Sequence, residues 1–355
     1  MAIKSIGIDI REVSSESTGK GRYAEEIIKA MTAAAPETQF FLFTDLPNPI
    51  FPDVGGVKQI LIPARGLRWH FALRKYLLAH PVDFYFSPTS YIYPAIAPKT
   101  QKVGIVVHDM VAFLHSKNHH WFPVLVEKLT LGRAVKNAAF ITTISKSTWN
   151  DLNKIKPASA NKKMVLAPPA VTSNFKKVEN KTLVLPEKFI LAVGTLEPRK
   201  NLISLIKAFS NIAEGHGDLH LCIAGGIGWK TAGIPKAIPP KLASRIHFLG
   251  YVEYSKLAEL YSRAALLAYP SLYEGFGIPP LEAMACGTPV LTSNISSLPE
   301  VVGAAAVTVD PRNIDEIAAG IEELLKNPAP YIQKGLERVK LFSWEKSAKE
   351  ILKAI

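Results

Sequence analysis

The sequence contains little cysteine and no long apolar run. Only Cys222 and Cys286 occur among 355 residues, which argues against a disulfide framework or a cysteine-based metal site. The longest apolar runs have the length of β-strands, well short of a transmembrane helix. The first ten residues are typical of a strand and lack the apolar core and cleavage site of a signal peptide. We therefore expect a cytoplasmic protein without a membrane span.

Two motifs of nucleotide-dependent enzymes are also missing. No Gly-x-Gly-x-x-Gly follows the first predicted strand, which argues against a dinucleotide-dependent dehydrogenase. No Asp-x-Asp pair offers ligands for a metal in nucleotide-sugar chemistry. His115, His119 and His120 occur close together, but no spaced carboxylate or cysteine completes a zinc site. These absences predict a protein that works without a bound metal.

The length and the charge distribution bound the architecture and the partners. A chain of 355 residues exceeds the usual size of one core, so we expect two domains of about 150 to 200 residues, both α/β. Residues 1–180 carry 23 Lys and Arg against 13 Asp and Glu, a net charge of +10, whereas residues 181–355 carry a net +2. A basic first half suits an anionic membrane surface, a phosphate-bearing acceptor or nucleic acid, and charge alone does not choose among them.

Residues 269–292 carry the clearest signal of a ligand site. A buried strand runs into a glycine loop, then into a helix that starts with prolines, then into a second strand. Gly275 and Gly277 let the backbone approach a ligand closely, while Pro279 and Pro280 suit a first helical turn. The free N–H groups of that turn, together with the helix dipole, favour an anion such as a phosphate.

The same stretch identifies a family. Glu274 and Glu282 have seven residues between them, and Glu-Gly-Phe-Gly-Ile-Pro-Pro-Leu-Glu-Ala-Met-Ala-Cys-Gly-Thr-Pro-Val around them closely resembles the Glu-x7-Glu motif of the retaining glycosyltransferases of family 4. The resemblance implies the GT-B fold, in which two Rossmann-like domains with parallel sheets face each other across a cleft. Ligands would then bind at the carboxyl ends of the strands. It also implies metal-independent transfer of a hexose with retention of the anomeric configuration.

Three further motifs agree with that family. Gly19-Lys20-Gly21-Arg22-Tyr23 resembles the loop that faces the donor diphosphate. The predicted strand Val103–Val107 ends at His108-Asp109, similar to the family's Val-His-Asp, whose histidine contacts the donor sugar. Residues 194–201 place Arg199 and Lys200 at a strand-to-helix turn, in the positions that bind the donor phosphates in the family.

The resemblance assigns roles to individual residues. Glu274 would bind sugar hydroxyls, Glu282 the ribose, and Tyr251 with Val252 the base. The implied catalytic residues are His108, Glu274, Arg199 and Lys200, and the implied donor-binding residues are Gly19, Gly21, Arg199, Lys200, Tyr251, Val252, Glu274, Gly275, Phe276, Gly277, Ile278 and Glu282. No cofactor is expected, because a nucleotide diphosphate sugar serves as co-substrate.

The predicted organisation has four parts. Residues 1–172 form an acceptor-side Rossmann-like domain, and residues 173–187, rich in Lys, Asn and Glu, form a linker. Residues 188–342 form the nucleotide-sugar-binding domain. By resemblance, a helix over residues 343–355 crosses back to the first domain.

One predicted helix of the first domain has two interpretations. Residues 67–79 place apolar Leu67, Phe71, Leu73, Leu77 and Leu78 beside basic Arg65, Arg68, Arg74 and Lys75, with Trp69 on the polar side. Such a helix suits a membrane interface. A packed helix with a solvated basic face is the alternative.

The substrates are harder to predict than the fold. The motifs around Arg199 and Pro279 look like those of members that use GDP-mannose for envelope polysaccharides, while UDP-glucose and UDP-N-acetylglucosamine remain alternatives. The expected acceptor is a saccharide or a lipid-linked saccharide at the inner membrane face, with peripheral contact to anionic lipid. A nucleotide-sugar epimerase or a sugar phosphorylase is the alternative within the fold. A basic nucleic-acid-binding protein is the alternative outside it, but no recognition motif or stacked aromatic platform supports that interpretation, so we expect no nucleic acid partner.

Overall fold

The computed structural model describes residues 3–14, 19–115, 121–179 and 181–355. His119 and His120 of the histidine-rich stretch therefore lie outside the described residues. The chain forms two compact units, one of Met1–Pro169 with Ser343–Ile355 and the other of Ala170–Phe342.

The first unit is built on a parallel sheet of seven strands in the order β3-β2-β1-β4-β5-β6-β7. Its strands are β1 (Ser5–Asp9), β2 (Gln39–Thr44), β3 (Val57–Leu61), β4 (Phe84–Ser87), β5 (Val103–Val107), β6 (Ala138–Thr143) and β7 (Lys163–Leu166). Its helices are α1 (Gly19–Ala34), α2 (Gly66–Ala79), α3 (Ile92–Ile96), α4 (Val111–Leu114), α5 (Trp121–Asn137) and α6 (Lys146–Ile155). The last helix of the chain, Trp344–Leu352, belongs to this unit and packs on α1.

The second unit repeats the same arrangement with six parallel strands in the order β10-β9-β8-β11-β12-β13. Its strands are β8 (Phe189–Val193), β9 (His220–Ala224), β10 (Ile246–Gly250), β11 (Leu266–Tyr269), β12 (Val290–Ser293) and β13 (Val307–Val309). Its helices are α7 (Leu202–Ile212), α8 (Gly233–Lys236), α9 (Tyr254–Arg263), α10 (Ile278–Ala285), α11 (Leu298–Val302), α12 (Ile314–Lys326) and α13 (Ala329–Val339), and the final helix Trp344–Leu352 is α14. The predicted pair of Rossmann-like α/β units is confirmed.

Both sheets have one point at which the strand order reverses. In the first unit the reversal lies between β1 and β4, and in the second between β8 and β11. The loops that leave the carboxyl ends of two such strands diverge and open a crevice, where ligands of open α/β sheets bind. Ligand-binding sites are therefore expected at the segments after β1 and β4 and at those after β8 and β11.

The buried strands explain why these segments form sheets. Every residue of β5 is buried, as is every residue of β11, and such continuous apolar runs are typical of parallel strands covered on both faces. Helix α7 covers the second sheet with Leu205, Ile206 and Phe209, all fully buried.

The packing of α2 differs from the predicted one. Trp69, placed on the polar side by the sequence, is fully buried with Leu73 and Leu77, whereas Leu67 and Phe71 are 46% and 61% exposed. The Arg11 guanidinium covers the Trp69 ring at 3.6 Å from its centroid. Since Trp buries a large apolar area and attracts a cation to its face, it turns the helix toward the core and leaves Phe71 outside.

Two smaller differences concern local structure. Gly19 and Gly21, expected in a loop before a helix, are the first and third residues of α1. Within the predicted linker, Phe175 packs edge-on against Tyr254 at 5.1 Å, so this segment is part of the second unit.

Within the part of the chain that the structure describes, no helix combines the length and the apolarity that a membrane crossing requires.

Candidate active site

The loop after β8 is shaped around Lys200. Gly194 has φ = 137°, and a Cβ there would lie 3.0 Å from Cε of Lys200, so glycine leaves room for the lysine to fold over the strand end. Asn201 adopts φ = 58° and its Nδ2 donates to the carbonyls of Pro270 (3.1 Å) and Pro311 (2.6 Å). The bond to Pro270 ties the loop after β8 to the segment after β11, across the reversal of strand order, and the bond to Pro311 reaches the segment after β13.

The two loops meet in an ion-pair network. Lys200 Nζ donates to Glu274 Oε1 at 2.7 Å, and Arg199 donates to Glu274 Oε2 at 2.6 Å. Arg199 also donates to the carbonyl of Tyr273 at 2.8 Å and pairs with Glu197. The Tyr269 hydroxyl donates to Glu274 Oε1 at 2.9 Å. Both oxygens of this one carboxylate are thus bonded to cationic side chains.

The electrostatics of Glu274 follow from these partners. Burial by itself would raise its pKa, but Lys200 and Arg199 outweigh burial and hold the pKa at about 2. Burial lowers the pKa of Lys200, and Glu274 opposes that shift. The carboxylate is therefore ionised at neutral pH and pairs with the half-buried Lys200. An anionic ligand that enters this crevice would compete with Glu274 for the two cations.

The glycine loop before α10 has one position that excludes a side chain. Gly277 has φ = 93°, and a Cβ there would lie 2.6 Å from Cδ2 of Leu298. The Ser297 hydroxyl lies 2.9 Å from the carbonyls of both Glu274 and Phe276, which fastens the loop. Phe276 is buried and packs edge-on against Phe342.

Helix α10 begins at Ile278 with prolines in its first turn, and no described side chain caps that end. Gly275 is buried just before it. The N–H groups of an uncapped first turn point along the helix axis and suit an anion.

Glu282 has a different environment from Glu274. It lies inside α10, is 6% exposed, and accepts a hydrogen bond from the Tyr261 hydroxyl at 2.8 Å. Tyr251 follows β10 and is 69% exposed, and Val252 is half-buried. An exposed aromatic ring at a strand end offers a surface on which a base can stack.

In the first unit, His108 follows the carboxyl end of β5 and is almost fully buried. Its Nε2 lies 2.6 Å from the carbonyl oxygen of Pro88, so this nitrogen carries the proton, and the Tyr23 ring packs edge-on against the imidazole at 5.0 Å. Burial and the charge of Lys20 lower the pKa of His108 to about 4. The imidazole is therefore neutral at physiological pH, with a fixed orientation.

The structure brings Arg199, Lys200 and Glu274 into one network beside the glycine loop, whereas His108, Gly19 and Gly21 belong to the other unit. Sequence reasoning missed Glu197, Tyr269, Tyr261 and Tyr23, which hold the predicted residues in position. Tyr269 and Glu197 could have been found, since one ends a central strand and the other lies two residues before Arg199.

The described residues contain no group of three or more His, Cys, Asp or Glu side chains arranged to hold a metal.

Comparison with known proteins agrees with this geometry. Residues 174–340 match the family model of glycosyl transferases group 1. The chain is 28% identical to the O-antigen chain mannosyltransferase B of Escherichia coli over 95% of both chains. It is 29% identical to the O-antigen chain mannosyltransferase RfbU of Salmonella typhimurium over 65% of this chain and 63% of the relative. Among solved structures, the sucrose-phosphate synthase of Thermosynechococcus elongatus superposes with a TM-score of 0.77 at 21% identity, covering 98% of this chain and 97% of that one.

Proposed function

Since this chain is a glycosyltransferase of the GT-B fold, we propose that it transfers mannose from GDP-mannose, with retention, to a saccharide acceptor in polysaccharide synthesis. The observation that carries the proposal is the network of Arg199, Lys200 and Glu274 at the reversal of strand order in the second unit. A half-buried pair of cations at that position is suited to a diphosphate.

In the proposed reaction, the acceptor and the donor react directly and the protein stabilises the leaving diphosphate. An acceptor hydroxyl attacks the anomeric carbon from the face on which the diphosphate leaves, and the bond between that carbon and the β-phosphate oxygen breaks. The hydroxyl proton passes to the departing phosphate. Arg199, Lys200 and the uncapped start of α10 stabilise the negative charge that develops there, and in this assignment no metal or organic cofactor is needed.

The remaining assigned residues bind other parts of the donor. Glu274 hydrogen-bonds sugar hydroxyls once the diphosphate has engaged its cations, and Glu282, oriented by Tyr261, binds the ribose. Tyr251 with Val252 receives the base. By resemblance to the family, Gly19 and Gly21 are assigned to the diphosphate, and neutral His108 is assigned to the sugar near its anomeric carbon.

Mannose is favoured over the alternatives by the relatives, two of which are named as O-antigen chain mannosyltransferases. UDP-glucose and UDP-N-acetylglucosamine are the competing donors. O-antigen relatives also favour an acceptor in envelope polysaccharide synthesis, at the cytoplasmic side of a membrane.

An exposed face of the first unit supports contact with that membrane. We define this apolar-basic face by Leu67, Phe71 and Leu78 of α2 and Trp121, Phe122, Leu125 and Leu129 of α5, all of which are exposed. Exposed basic residues lie on or beside the same helices, namely Arg65, Arg68, Lys75, Lys128, Arg133 and Lys136. Helix α2 contains no acidic residue and α5 contains only Glu127. Aromatic side chains among lysines and arginines complement the interface of an anionic bilayer.

A ligand panel tests the donor assignment. The wild-type protein and Glu282→Ala are heated with GDP, UDP, ADP and their sugar conjugates, with and without EDTA. Glu253→Ala, an exposed carboxylate on the same unit, is the control. We expect GDP and GDP-mannose alone to raise the melting temperature, unaffected by EDTA and lost only in Glu282→Ala. If UDP compounds stabilise the protein instead, the donor is a UDP sugar and not GDP-mannose. If no nucleotide raises the melting temperature, the proposed function is contradicted.

A further inference from the structure

We infer that residues 342–344, which connect the second unit to the first, position groups of the proposed reaction in both units. The inference rests on the proposed function, because it concerns the same transfer. The chain leaves the second unit at Phe342 and enters the first at Ser343, directly before Trp344. We call these three residues the connecting segment. Its two aromatic side chains each pack, within one unit, against residues next to the assigned site.

In the second unit, Phe342 contacts the glycine loop. Its ring packs edge-on against the Phe276 ring, with centroids 5.6 Å apart and an interplanar angle of 83°, a preferred geometry of aromatic pairs. Phe276 is buried two residues after Glu274, and its carbonyl lies 2.9 Å from the Ser297 hydroxyl. The Arg338 guanidinium lies 5.4 Å from the centroid of the Phe342 ring, which is a favourable cation–π distance. The ring of Phe342 is thus held in place and supports the loop that carries Glu274.

In the first unit, Trp344 is separated from His108 by one aromatic ring. Trp344 is the first residue of α14, and its ring packs against the Tyr23 ring with centroids 5.5 Å apart. The Tyr23 ring in turn meets the imidazole of His108 edge-on, at 5.0 Å and 89°. Tyr23 ends the Gly-x-Gly-Arg-Tyr motif, in which only the two glycines have an assigned role. The connecting segment therefore acts, through Tyr23, on the residue that we assign to the reacting sugar.

Two hydrogen bonds hold these rings against the carboxyl end of β7. The Tyr23 hydroxyl donates to the carbonyl of Ala167 at 3.0 Å. The Ser347 hydroxyl of α14 donates to the carbonyl of Pro168 at 2.7 Å. These two carbonyls follow β7 directly and precede Pro169, the residue at which the chain first leaves this unit. The spacing between Tyr23 and α14 is therefore set by consecutive backbone groups and not by ring packing alone.

The charge state of His108 depends on the same packing. Burial and the charge of Lys20 lower the pKa of this imidazole to about 4, while Asp109 and the hydrogen bond to the Pro88 carbonyl oppose the shift. Lys20 lies on α1 three residues before Tyr23, so both lie on one face of that helix, and α14 packs on α1. Loosening this contact exposes the imidazole to water and raises its pKa toward the ordinary value of 6.5.

Variants of the connecting segment test the inference on the full chain. Trp344→Leu and Phe342→Leu remove a ring and retain apolar bulk, whereas Trp344→Phe and Phe342→Tyr keep a ring. The matched controls are Trp149→Leu, at a half-buried position of α6, and Phe248→Leu, at an exposed position of the second unit. Turnover is measured as release of GDP from GDP-mannose, with methyl α-mannoside or water as the acceptor. Calorimetry measures GDP affinity, and NMR of histidine-labelled protein measures the pKa of His108, whose signal His108→Gln identifies.

We expect each leucine variant to lower kcat about tenfold or more, since a displacement of about 1 Å can reduce a rate about a hundredfold. The variants that keep a ring should restore most of this loss. Trp344→Leu should also raise the pKa of His108 and move the acid limb of the kcat profile to higher pH. Its GDP affinity should stay unchanged, because the cations assigned to the diphosphate belong to the other unit. Both controls should behave as wild type in turnover and in the titration.

Three results would each overturn the inference. These are wild-type kcat in both leucine variants, no recovery in the variants that keep a ring, and an unchanged pKa of His108 in Trp344→Leu. The titration needs no substrate. If the wild-type protein neither binds GDP nor releases it from GDP-mannose, the proposed function fails, while the titration still decides whether Trp344 acts on His108. The two failures are therefore distinguishable.

Discussion

Nζ of Lys200 lies 2.7 Å from Oε1 of Glu274, and the same carboxylate accepts a hydrogen bond from Arg199 at its other oxygen. The groups assigned to opposite parts of the donor, cations for the diphosphate and a carboxylate for the sugar, are therefore bonded to each other in this structure. Donor binding must exchange these bonds, since a diphosphate and Glu274 need the same two cations. Because of this exchange, mutations of Glu274 and mutations of its two cationic partners should change the affinity for GDP in opposite directions.

Glu274→Gln should separate nucleotide binding from transfer. The amide no longer competes as an anion for Lys200 and Arg199, so we expect GDP to bind as tightly as to wild type or more tightly. Mannosyl transfer should fall by about 10² to 10³, because a preorganised transition-state contact is lost. Calorimetry with GDP and a radiolabelled transfer assay measure the two effects. Weaker GDP binding in Glu274→Gln would contradict the exchange.

Lys200→Ala should impair both steps. The variant removes a half-buried cation that we assign to the diphosphate and leaves Glu274 with Arg199 as its remaining cationic partner in the network. We expect weaker GDP binding and a loss of about 3 to 4 kcal/mol of transition-state stabilisation. Lys207→Ala, an exposed lysine of α7, is the control and should behave as wild type. If Lys200→Ala had the same kcat and KM as wild type, Lys200 would have no role in donor binding or transfer.

Acidification should destabilise the protein in a window set by its buried histidines. The pKa of His108 and of His70 is about 4 in the folded chain, against an ordinary value of 6.5. The unfolded chain therefore binds protons first, so stability is highest above pH 6.5 and is lost as the pH falls toward 4. His108→Gln keeps a donor toward Pro88 and should flatten this slope. Urea unfolding at half-unit pH intervals measures the slope, and His80→Gln, at an exposed position, should leave it unchanged.

Gly277→Ala should destabilise the second unit through two separable terms. The φ of 93° disfavours alanine by about 1 to 2 kcal/mol, and the contact with Leu298 adds an overpacking term of about 1 to 3 kcal/mol. Gly287→Ala shares the positive φ, at 75°, but its Cβ would approach nothing closer than 4.0 Å. Calorimetric melting of the two variants should therefore show a larger loss at Gly277. Equal losses would mean that Leu298 moves aside.

The apolar-basic face should bind anionic vesicles. We expect the wild-type protein to sediment with vesicles that contain phosphatidylglycerol and not with pure phosphatidylcholine. Phe71→Ser combined with Trp121→Ser should weaken that binding by about tenfold or more, since both side chains are exposed and would insert at the interface. Phe248→Ser with Leu336→Ser, exposed apolar residues of the second unit, is the matched control. Equal vesicle binding by both double variants would show that the apolar-basic face is not the membrane-binding surface.

The sequence by itself determined the two α/β units and the glycine loop. Continuous apolar strands, glycine and proline act through local hydrophobicity and backbone preferences, which do not depend on contacts with distant residues. The paired glutamates and Arg199 with Lys200 were also recognisable from motif spacing. Only the tertiary structure decided that Glu274 binds both cations, since that pairing joins residues 75 and 74 positions apart in the chain. It likewise decided that Trp69 rather than Phe71 packs inward, because the choice depends on Arg11, which lies on another segment.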